Sequence, residues 1–238
     1  MAVGLDQIDK FVGQVIKDEY GRVLGKLMAI FSNVSGEVES LEIVINDALY
    51  ENVPITRVKL TPDGPVVVHE WKVLALSTEN KLDRVKRRLR ATEELFRKGS
   101  IPAHAYEELK RRLDSESKML KDEVSKVKEL LRRRAGELED TIIRLEKDLT
   151  NMQILYMSNE ISDQAYKVAS DVLRSNKAKA LDEKRDAEKH LDLIAKLETE
   201  AGEIRPVSEA PTPASLVKQQ ADQVRVEQPI QVQVVDVS

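Results

Sequence analysis

Six basic side chains crowd one short stretch of this chain, and phosphate binding is the chemistry that they could do. This basic cluster consists of Lys81, Arg84, Lys86, Arg87, Arg88 and Arg90. Such side chains bind nucleic-acid phosphates or the headgroups of an anionic membrane. Aromatic residues for base stacking are missing nearby, so nucleic-acid binding here should be independent of sequence and sensitive to salt. The competing interpretation is a solvated helix face with neutralising carboxylates four residues away, such as Arg90 with Glu94.

The last fifteen residues carry a second pattern, which is typical of partner binding. Five aliphatic residues fall at even positions with polar residues between them: Val224, Val226, Ile230, Val232 and Val234. This period of two predicts a half-buried strand. A strand without a neighbour is not stable in water, and Pro229 is tolerated only at the edge of a sheet. We therefore expect residues 223–238 to dock as an added strand on the sheet edge of a partner protein.

Catalytic chemistry has little support in the sequence. The three histidines, His69, His104 and His190, lie in different segments and have no partner at ligand spacing, so we expect ordinary surface or boundary roles for them. The glycines are not followed by the Gly-Lys-Ser/Thr of a phosphate loop. Cysteine is absent, which excludes disulfides and thiolate metal sites. We expect no enzyme activity, no cofactor and no metal.

The composition indicates long amphipathic helices rather than one large globular core. Of the 238 residues, 34% are charged and only 4% are aromatic. The N-terminus lacks the basic and apolar regions of a signal peptide, and no run of apolar residues is long enough to span a membrane. We expect a soluble, cytoplasmic protein. Residues 78–200 carry 28 basic and 26 acidic side chains, a net charge of +2, which is too weak to predict nucleic-acid binding alone.

Residues 1–76 are predicted to form a small β domain. Aliphatic runs alternate with turns rich in Gly, Asp and Asn over residues 11–76, which indicates five or six short strands. The last run, from Val66 to Leu74, is expected to be a strand. A closed barrel is favoured because closure removes exposed edges. The run over residues 13–27 (GQVIKDEYGRVLGKL) resembles the opening hairpin of PRC-barrel domains, in which glycines end the turn and permit close packing of the second strand.

Residues 77–200 are predicted to form a coiled coil of three helices, at about 78–98, 102–157 and 162–200. Residues 95–106 and 155–166 repeat one another at an offset of 60, with Leu, Ile, Ala and Tyr identical. Gly99 and Asn159 readily take the left-handed conformation that closes a helix. Ser162 is a good N-cap, and Pro102 suits a first turn. Each copy of the repeat therefore predicts a corner between two antiparallel helices.

The apolar positions of the second and third helices step by threes and fours, as a coiled-coil seam does. In the second helix the seam runs from Leu120 to Tyr156, and in the third it includes Ala180, Ala187, Ile194 and Leu197. We expect the first helix to fold back on the start of the second, and the third helix on its end. Together the two shorter helices would match the long one in length, which predicts an elongated, continuously paired rod.

Residues 201–222 contain Gly202, three prolines and two serines and are predicted to form a flexible linker. The whole chain then has the order of a small β head, a charged coiled coil, a Pro-rich disordered tail and a terminal strand. The predicted fold class is α+β with several domains.

This order of parts resembles the CdvA family of archaeal cell-division proteins. The resemblance implies a non-enzymatic protein that assembles into filaments at the division site, peripheral to the membrane. It also implies recruitment of the ESCRT-III-like protein CdvB, with the C-terminal peptide adding a strand to the winged-helix domain of that partner. The docking side chains would then be those of Val224, Val226, Ile230, Val232 and Val234. The alternative is a DNA- or RNA-associated protein that binds phosphates through the basic cluster, since PRC-like barrels also occur in RNA-processing factors.

Overall fold

The computed structural model describes residues 3–46 and 48–202 of the chain. Residues 3–69 contain one six-stranded sheet, which we call the head, and the remaining described residues form three long helices, which we call the shaft. The strands are β1 (Val15–Asp18), β2 (Val23–Ser32), β3 (Val38–Ile45), β4 (Leu49–Pro54), β5 (Val58–Thr61) and β6 (Gly64–Val67). The helices are α1 (Glu70–Arg97), α2 (Ala103–Met157) and α3 (Asp163–Gly202). The predicted α+β fold class is confirmed.

The sheet has the strand order β4-β3-β2-β1-β6-β5, in which only β1 and β6 are parallel. Ile8, Ile16, Leu27, Leu41 and Ile43 are almost fully buried and form the centre of the head. Among the described residues β4 and β5 lie at opposite ends of the strand order, without a recorded pairing between them. Closure into a PRC-type barrel therefore stays a prediction.

The β1–β2 hairpin has the glycine chemistry that its sequence predicts. Gly21 closes the turn at φ 76°, in the left-handed region where a side chain is unfavourable. A Cβ atom at Gly25 would lie 2.1 Å from the carbonyl oxygen of Val44, so only glycine allows β3 to approach this closely. The Asp18 carboxylate accepts hydrogen bonds from the backbone N–H groups of Tyr20 (2.9 Å) and Arg22 (2.8 Å), which fixes the turn.

Helix α1 begins at Glu70, eight residues before its predicted start. The strand expected from Val66 to Leu74 is wrong beyond Val67, where β6 ends. Trp71, Ala75 and Leu82 share one face of α1 and are buried against the other two helices. This buried face, rather than the largely apolar run from Val66 to Leu74, determines the conformation, because burial of an apolar stripe is what stabilises a helix of this kind.

The two predicted corners are confirmed in backbone detail. Gly99 and Asn159 both have positive φ, at 67° and 61°. The residue after each donates to a carbonyl five residues back, Ser100 to Leu95 and Glu160 to Leu155, both at 2.9 Å. This is the hydrogen bond of a Schellman motif, which satisfies carbonyls at a helix end. The start of α3 is capped as expected, since the hydroxyl of Ser162 accepts from the N–H of Ala165 at 3.2 Å.

Both corners also carry a stacked aromatic pair that the repeat encodes. Phe96 and Tyr106 have ring centroids 4.1 Å apart, and Tyr156 and Tyr166 have centroids 4.6 Å apart. In each pair the rings come from the last turn of one helix and the first turn of the next. Stacked aromatic pairs contribute about 0.5–1.5 kcal/mol beyond the burial of area. The repeat at an offset of 60 residues is therefore a repeated helix corner.

The two shorter helices, α1 and α3, overlap along α2 instead of lying end to end. Helices α1 and α3 contain 28 and 40 residues, together 68, against the 55 residues and about 82 Å of α2. Their overlap makes a three-helix core from Leu120, Val124, Val127 and Leu131 of α2, with Trp71, Ala75, Leu82 and Val85 of α1 and Ala187, Ile194 and Leu197 of α3. The expected rod of paired helices is thus a three-helix bundle in this stretch, and α2 and α3 continue as a pair beyond it.

We predict opposite effects on stability for the same substitution at two glycines. Gly99→Ala should lower the free energy of unfolding by about 1–2 kcal/mol, because alanine is strained at the left-handed φ of this corner. Gly136→Ala should raise it by about 0.5–1 kcal/mol, because Gly136 lies inside α2 and a Cβ there meets no atom within 4 Å. Urea denaturation followed by circular dichroism measures both. Equal signs for the two variants would contradict the assigned corner.

Candidate functional site

The candidate site is the junction where the turn of the β1–β2 hairpin meets all three helices. Its centre is Glu183 of α3, whose side chain has no exposed surface. One carboxylate oxygen accepts hydrogen bonds from the Arg134 Nε (2.8 Å) and the Trp71 Nε1 (3.2 Å). The other accepts a hydrogen bond from the Arg22 guanidinium of the head. A single carboxylate therefore joins the head, α1 and α2 to α3.

The charge of Glu183 is stabilised by these partners. Burial alone would raise the pKa of the Glu183 carboxyl, but the hydrogen bonds from Arg134 and Arg22 and the positive charge of Arg134 hold its pKa below the usual value of 4.5. The effect is mutual, because the same contacts outweigh the burial of Arg134 and raise its pKa. Buried charges of this kind are stable only when they are paired and hydrogen-bonded.

A second group of contacts lies beside the first and joins the same elements. Lys72 of α1 donates to Glu19 of the head (2.6 Å) and to Asp186 of α3 (2.5 Å). The hydroxyl of Tyr20 donates to the same oxygen of Asp186 at 2.7 Å. Burial raises the pKa of Tyr20 above its usual range, and the neighbouring carboxylates raise it further, so this hydroxyl remains a donor. Lys72 and Tyr20 together hold the pKa of Asp186 below its usual value, against the effect of burial.

Two of the three histidines belong to this junction, which corrects the expectation of ordinary surface or boundary roles. His69 contacts Asp18 at 3.1 Å, and the buried His190 contacts Glu79 at 2.6 Å. Both rings pack beside Trp71, with centroid separations of 6.4 and 6.0 Å. Burial favours the neutral form of Asp18, but the contacts with His69 and Arg22 hold its pKa below the usual value.

Sequence analysis missed this junction, although a signal was present. Glu183 and His190 fall between Ala180, Ala187 and Ile194 at steps of three and four residues, so they occupy seam positions of α3. A charged or ionisable residue at such a position must find a partner when it is buried. The partners themselves are not predictable from spacing, because Arg22 and Trp71 are more than 100 residues away in the chain.

The arrangement fixes the orientation of the head rather than presenting a reactive group. Every charge described here faces an opposite charge or a hydrogen-bond donor from another element. The three cations Arg22, Lys72 and Arg134 balance carboxylates from both the head and the shaft. Removing one partner would leave another charge unpaired in a partly buried place, which is costly. The junction therefore acts as a clamp between the head and the shaft.

The basic cluster lies on α1, and most of its charges are already paired. Lys81 contacts Glu123 at 2.7 Å, Arg87 contacts Asp83 at 2.9 Å, and Arg88 contacts Glu116 at 3.6 Å. Lys86 is paired with Glu200 of α3. Arg84 and Arg90 have no carboxylate oxygen within 4.0 Å among the described residues, and the expected contact of Arg90 with Glu94 is wrong, since Glu94 pairs with Lys98.

The predicted linker of 201–222 begins two residues too early, because α3 continues to Gly202. Residues 203–238, which include the rest of the linker and the docking residues Val224, Val226, Ile230, Val232 and Val234, lie outside the described residues. Their interpretation stays a prediction from the sequence. Within residues 3–46 and 48–202, no helix has a stretch long and apolar enough to cross a membrane.

These features define a class: an α+β protein in which a small sheet is held by buried charges on an elongated helical shaft. Residues 70–215 match the family described as the CdvA-like coiled-coil domain, and the match begins at the first residue of α1. The chain is also 30% identical over 237 residues to cell division protein A of Sulfolobus acidocaldarius, with 99% of each chain covered. The chain therefore belongs to the CdvA family, which confirms the resemblance. No solved structure matches it.

We predict that Glu183→Gln lowers the free energy of unfolding by about 3 kcal/mol, because it leaves the Arg22 and Arg134 cations without a buried counter-charge. The matched control is Glu146→Gln. Glu146 pairs with Lys177 at 2.7 Å but is half exposed, so its loss should cost at most about 1 kcal/mol. Chemical denaturation of the two variants gives the comparison. Equal losses would show that the junction does not depend on this carboxylate.

The loss of stability caused by Glu183→Gln should depend on pH. The pKa of Glu183 is lower in the folded protein than its usual value of 4.5, so its contribution to stability is present above pH 4.5 and is lost as the pH falls through the folded pKa. The difference between the wild type and Glu183→Gln should therefore be largest near neutral pH and shrink as the pH falls below 4.5. A difference that stays constant to about pH 2 would refute a role for the negative charge.

Proposed function

We propose that this chain acts in cell division as a non-enzymatic scaffold that self-assembles at the division site. In this proposal its C-terminal strand recruits the ESCRT-III-like protein CdvB to the membrane. The role in cell division rests on membership of the CdvA family and on the relative named cell division protein A. The docking of a C-terminal strand and the assembly step rest on the residues of this chain, and the choice of CdvB as the partner is what the resemblance to the family implies.

The observation that carries the recruitment step is the alternation of aliphatic residues at the C-terminus. In an added strand, backbone hydrogen bonds give affinity and alternate side chains fill pockets on the partner. Val224, Val226, Ile230, Val232 and Val234 would face the winged-helix domain of CdvB. Of the predicted linker, 201–222, the 20 residues after α3 would have a root-mean-square length of about 25 Å as a flexible chain. The strand could thus reach a partner beside the shaft.

Exposed apolar side chains on the shaft support self-assembly. Helix α1 does not reach the stretch of α2 and α3 near their shared corner, where only two helices pack. There Met157, Val168 and Val172 have 73%, 60% and 54% of their surface exposed. Apolar surface of this kind is typical of contact sites between proteins, so the far end of the shaft is the favoured contact between copies.

The alternative, binding of DNA or RNA through the basic cluster, has less support. Four of the six basic side chains already contact carboxylates, and each such contact would compete with a phosphate. Sequence-independent binding of a nucleic acid is driven mainly by the release of salt counterions when lysine and arginine side chains contact the phosphates. This binding requires basic side chains that are not already paired. Within the described residues, Arg84 and Arg90 are the members of the basic cluster that form no ion pair with a carboxylate.

We predict that Ile230→Asp in the full-length chain weakens binding to the CdvB winged-helix domain at least about tenfold. Burial of an isoleucine side chain contributes about 1.5–3 kcal/mol, and 1.4 kcal/mol corresponds to a factor of ten. Gln231→Asp is the matched control, because it adds the same charge one position along, on the opposite face of the strand. Titration calorimetry should show binding of the control within about twofold of the wild type.

Two results would contradict the recruitment step. One is the absence of binding by the wild-type chain. The other is equal weakening by Ile230→Asp and Gln231→Asp, because a docked strand distinguishes its two faces. Deletion of residues 223–238 separates the two parts of the proposal, since it should abolish binding to CdvB and leave self-assembly intact.

A further inference from the structure

Each end of the shaft has an apolar groove between two helices. The near groove lies between α1 and α2, close to the corner that joins them, and its lining includes Ala91, Leu95, Leu109 and Leu113. The far groove lies between α2 and α3, close to their corner, and its lining includes Met152, Ala165, Val168, Ala169 and Val172. Among the described residues, α3 contributes nothing to the near groove and α1 contributes nothing to the far groove.

The two grooves match each other in length and in exposed apolar surface. The near groove follows α2 over residues 109–116, about 10 Å, and the far groove follows α3 over residues 165–173, about 12 Å. Large apolar side chains are exposed in both, namely Leu95 and Leu109 in the near groove and Val168 and Val172 in the far groove. Two such helix pairs can bury this surface by packing into a four-helix bundle.

The charges of the two ends favour contact between unlike grooves. Residues 86–118 carry ten basic and six acidic side chains, a net charge of +4, and residues 140–177 carry five basic and six acidic, a net charge of −1. Asp148 is the one charged side chain that lines the far groove, whereas Arg88 and Arg112 share the single carboxylate of Glu116 in the near groove. Contact between two near grooves would bring like charges together, which is unfavourable.

We propose that the near groove of one chain packs on the far groove of a second copy of the chain. This inference rests on the self-assembly in the proposed function and specifies which surfaces meet. Because the two surfaces differ, the contact is heterologous, and every complex keeps one unoccupied groove of each kind. With the shafts parallel, further copies add along one direction and yield an open filament.

The position of the head is compatible with this contact. Arg134, which holds the head junction on α2, lies 21 residues from Leu113 of the near groove and 18 residues from Met152 of the far groove. These separations are about 32 Å and about 27 Å along the helix. The junction therefore lies between the grooves and contributes to neither. Successive copies are offset by the distance from Leu113 to Met152, about 60 Å.

The two grooves can be blocked separately in the full-length chain. Leu109→Glu places a charge in the near groove, and Val168→Glu places one in the far groove. The matched control is Leu193→Glu, because Leu193 lies on α3 outside both grooves and is 39% exposed, close to the 42% of Leu109. Circular dichroism checks that each variant is folded. Arg112→Glu and Asp148→Lys block the same two grooves through charge alone.

Sedimentation velocity just above the concentration at which the wild type assembles should show Leu109→Glu and Val168→Glu as single chains and Leu193→Glu as assemblies. Each blocking variant should raise the concentration needed for assembly at least about tenfold, because an apolar side chain is no longer buried in the contact. An equimolar mixture of the two blocked chains should form complexes of two chains and nothing larger, since one intact groove of each kind remains to pair.

Three results would overturn the pairing of near and far grooves while leaving self-assembly in place. Assembly of Leu109→Glu but not of Val168→Glu would mean that two far grooves meet in a symmetric dimer. Assembly of both blocked variants at the concentration of the control would place the contact elsewhere. A mixture that stays as single chains would show that the grooves do not complement each other. A wild-type chain that remains single at every concentration would instead contradict the proposed self-assembly itself.

Discussion

The burial of one carboxylate is the constraint on which the arrangement of this protein depends. Glu183 has no exposed surface and meets Arg22 from the head, Trp71 from α1 and Arg134 from α2. A buried negative charge is stable only if these donors stay in place. The contact therefore fixes three things together: the side of the shaft on which the head sits, the start of α1, and the level of α3 along both other helices.

Glu183 fixes the alignment of α3 with α1 and α2, and ion pairs further along the shaft fit the same alignment. Glu79 with His190 and Lys86 with Glu200 hold α1 parallel to α3, and Lys128 with Glu198 holds α2 antiparallel to α3. Because the two corners fix where each helix ends, this register forces α1 and α3 to overlap. The overlap creates the three-helix core in the middle of the shaft and leaves a two-helix stretch at each end. Both the exposed apolar surface near the far corner and the groove beyond α3 follow from it.

The sequence predicted those features that local chemistry controls. Gly99, Asn159 and Ser162 act as predicted because left-handed backbone and a capping hydroxyl are properties of single residues. The predicted seam residues Leu131, Ala187 and Ile194 are fully buried, since a period of 3.5 requires only nearby residues. The six-stranded head and the long helices are predicted for the same reason.

Features that depend on contacts far apart in the chain were wrong or were missed. The run from Val66 to Leu74 is apolar enough for a strand, and only the packing of Trp71 and Ala75 on distant helices makes its second half helical. Glu183 occupies a seam position of α3, but no local pattern identifies its partner Arg22, which lies 161 residues away in the chain. The paired charges of the basic cluster, such as Lys86 with Glu200, likewise depend on a register that no local pattern contains.

The central claim, that buried charges fix the head on the shaft, is tested most directly by a distance measurement. Spin labels on Val34→Cys, in an exposed turn of the head, and on Arg185→Cys, on the exposed face of α3, would report the separation of the two parts in an otherwise cysteine-free chain. Electron–electron double resonance should give one narrow distance distribution. A broad distribution, as expected for a head that moves freely on the shaft, would contradict this account.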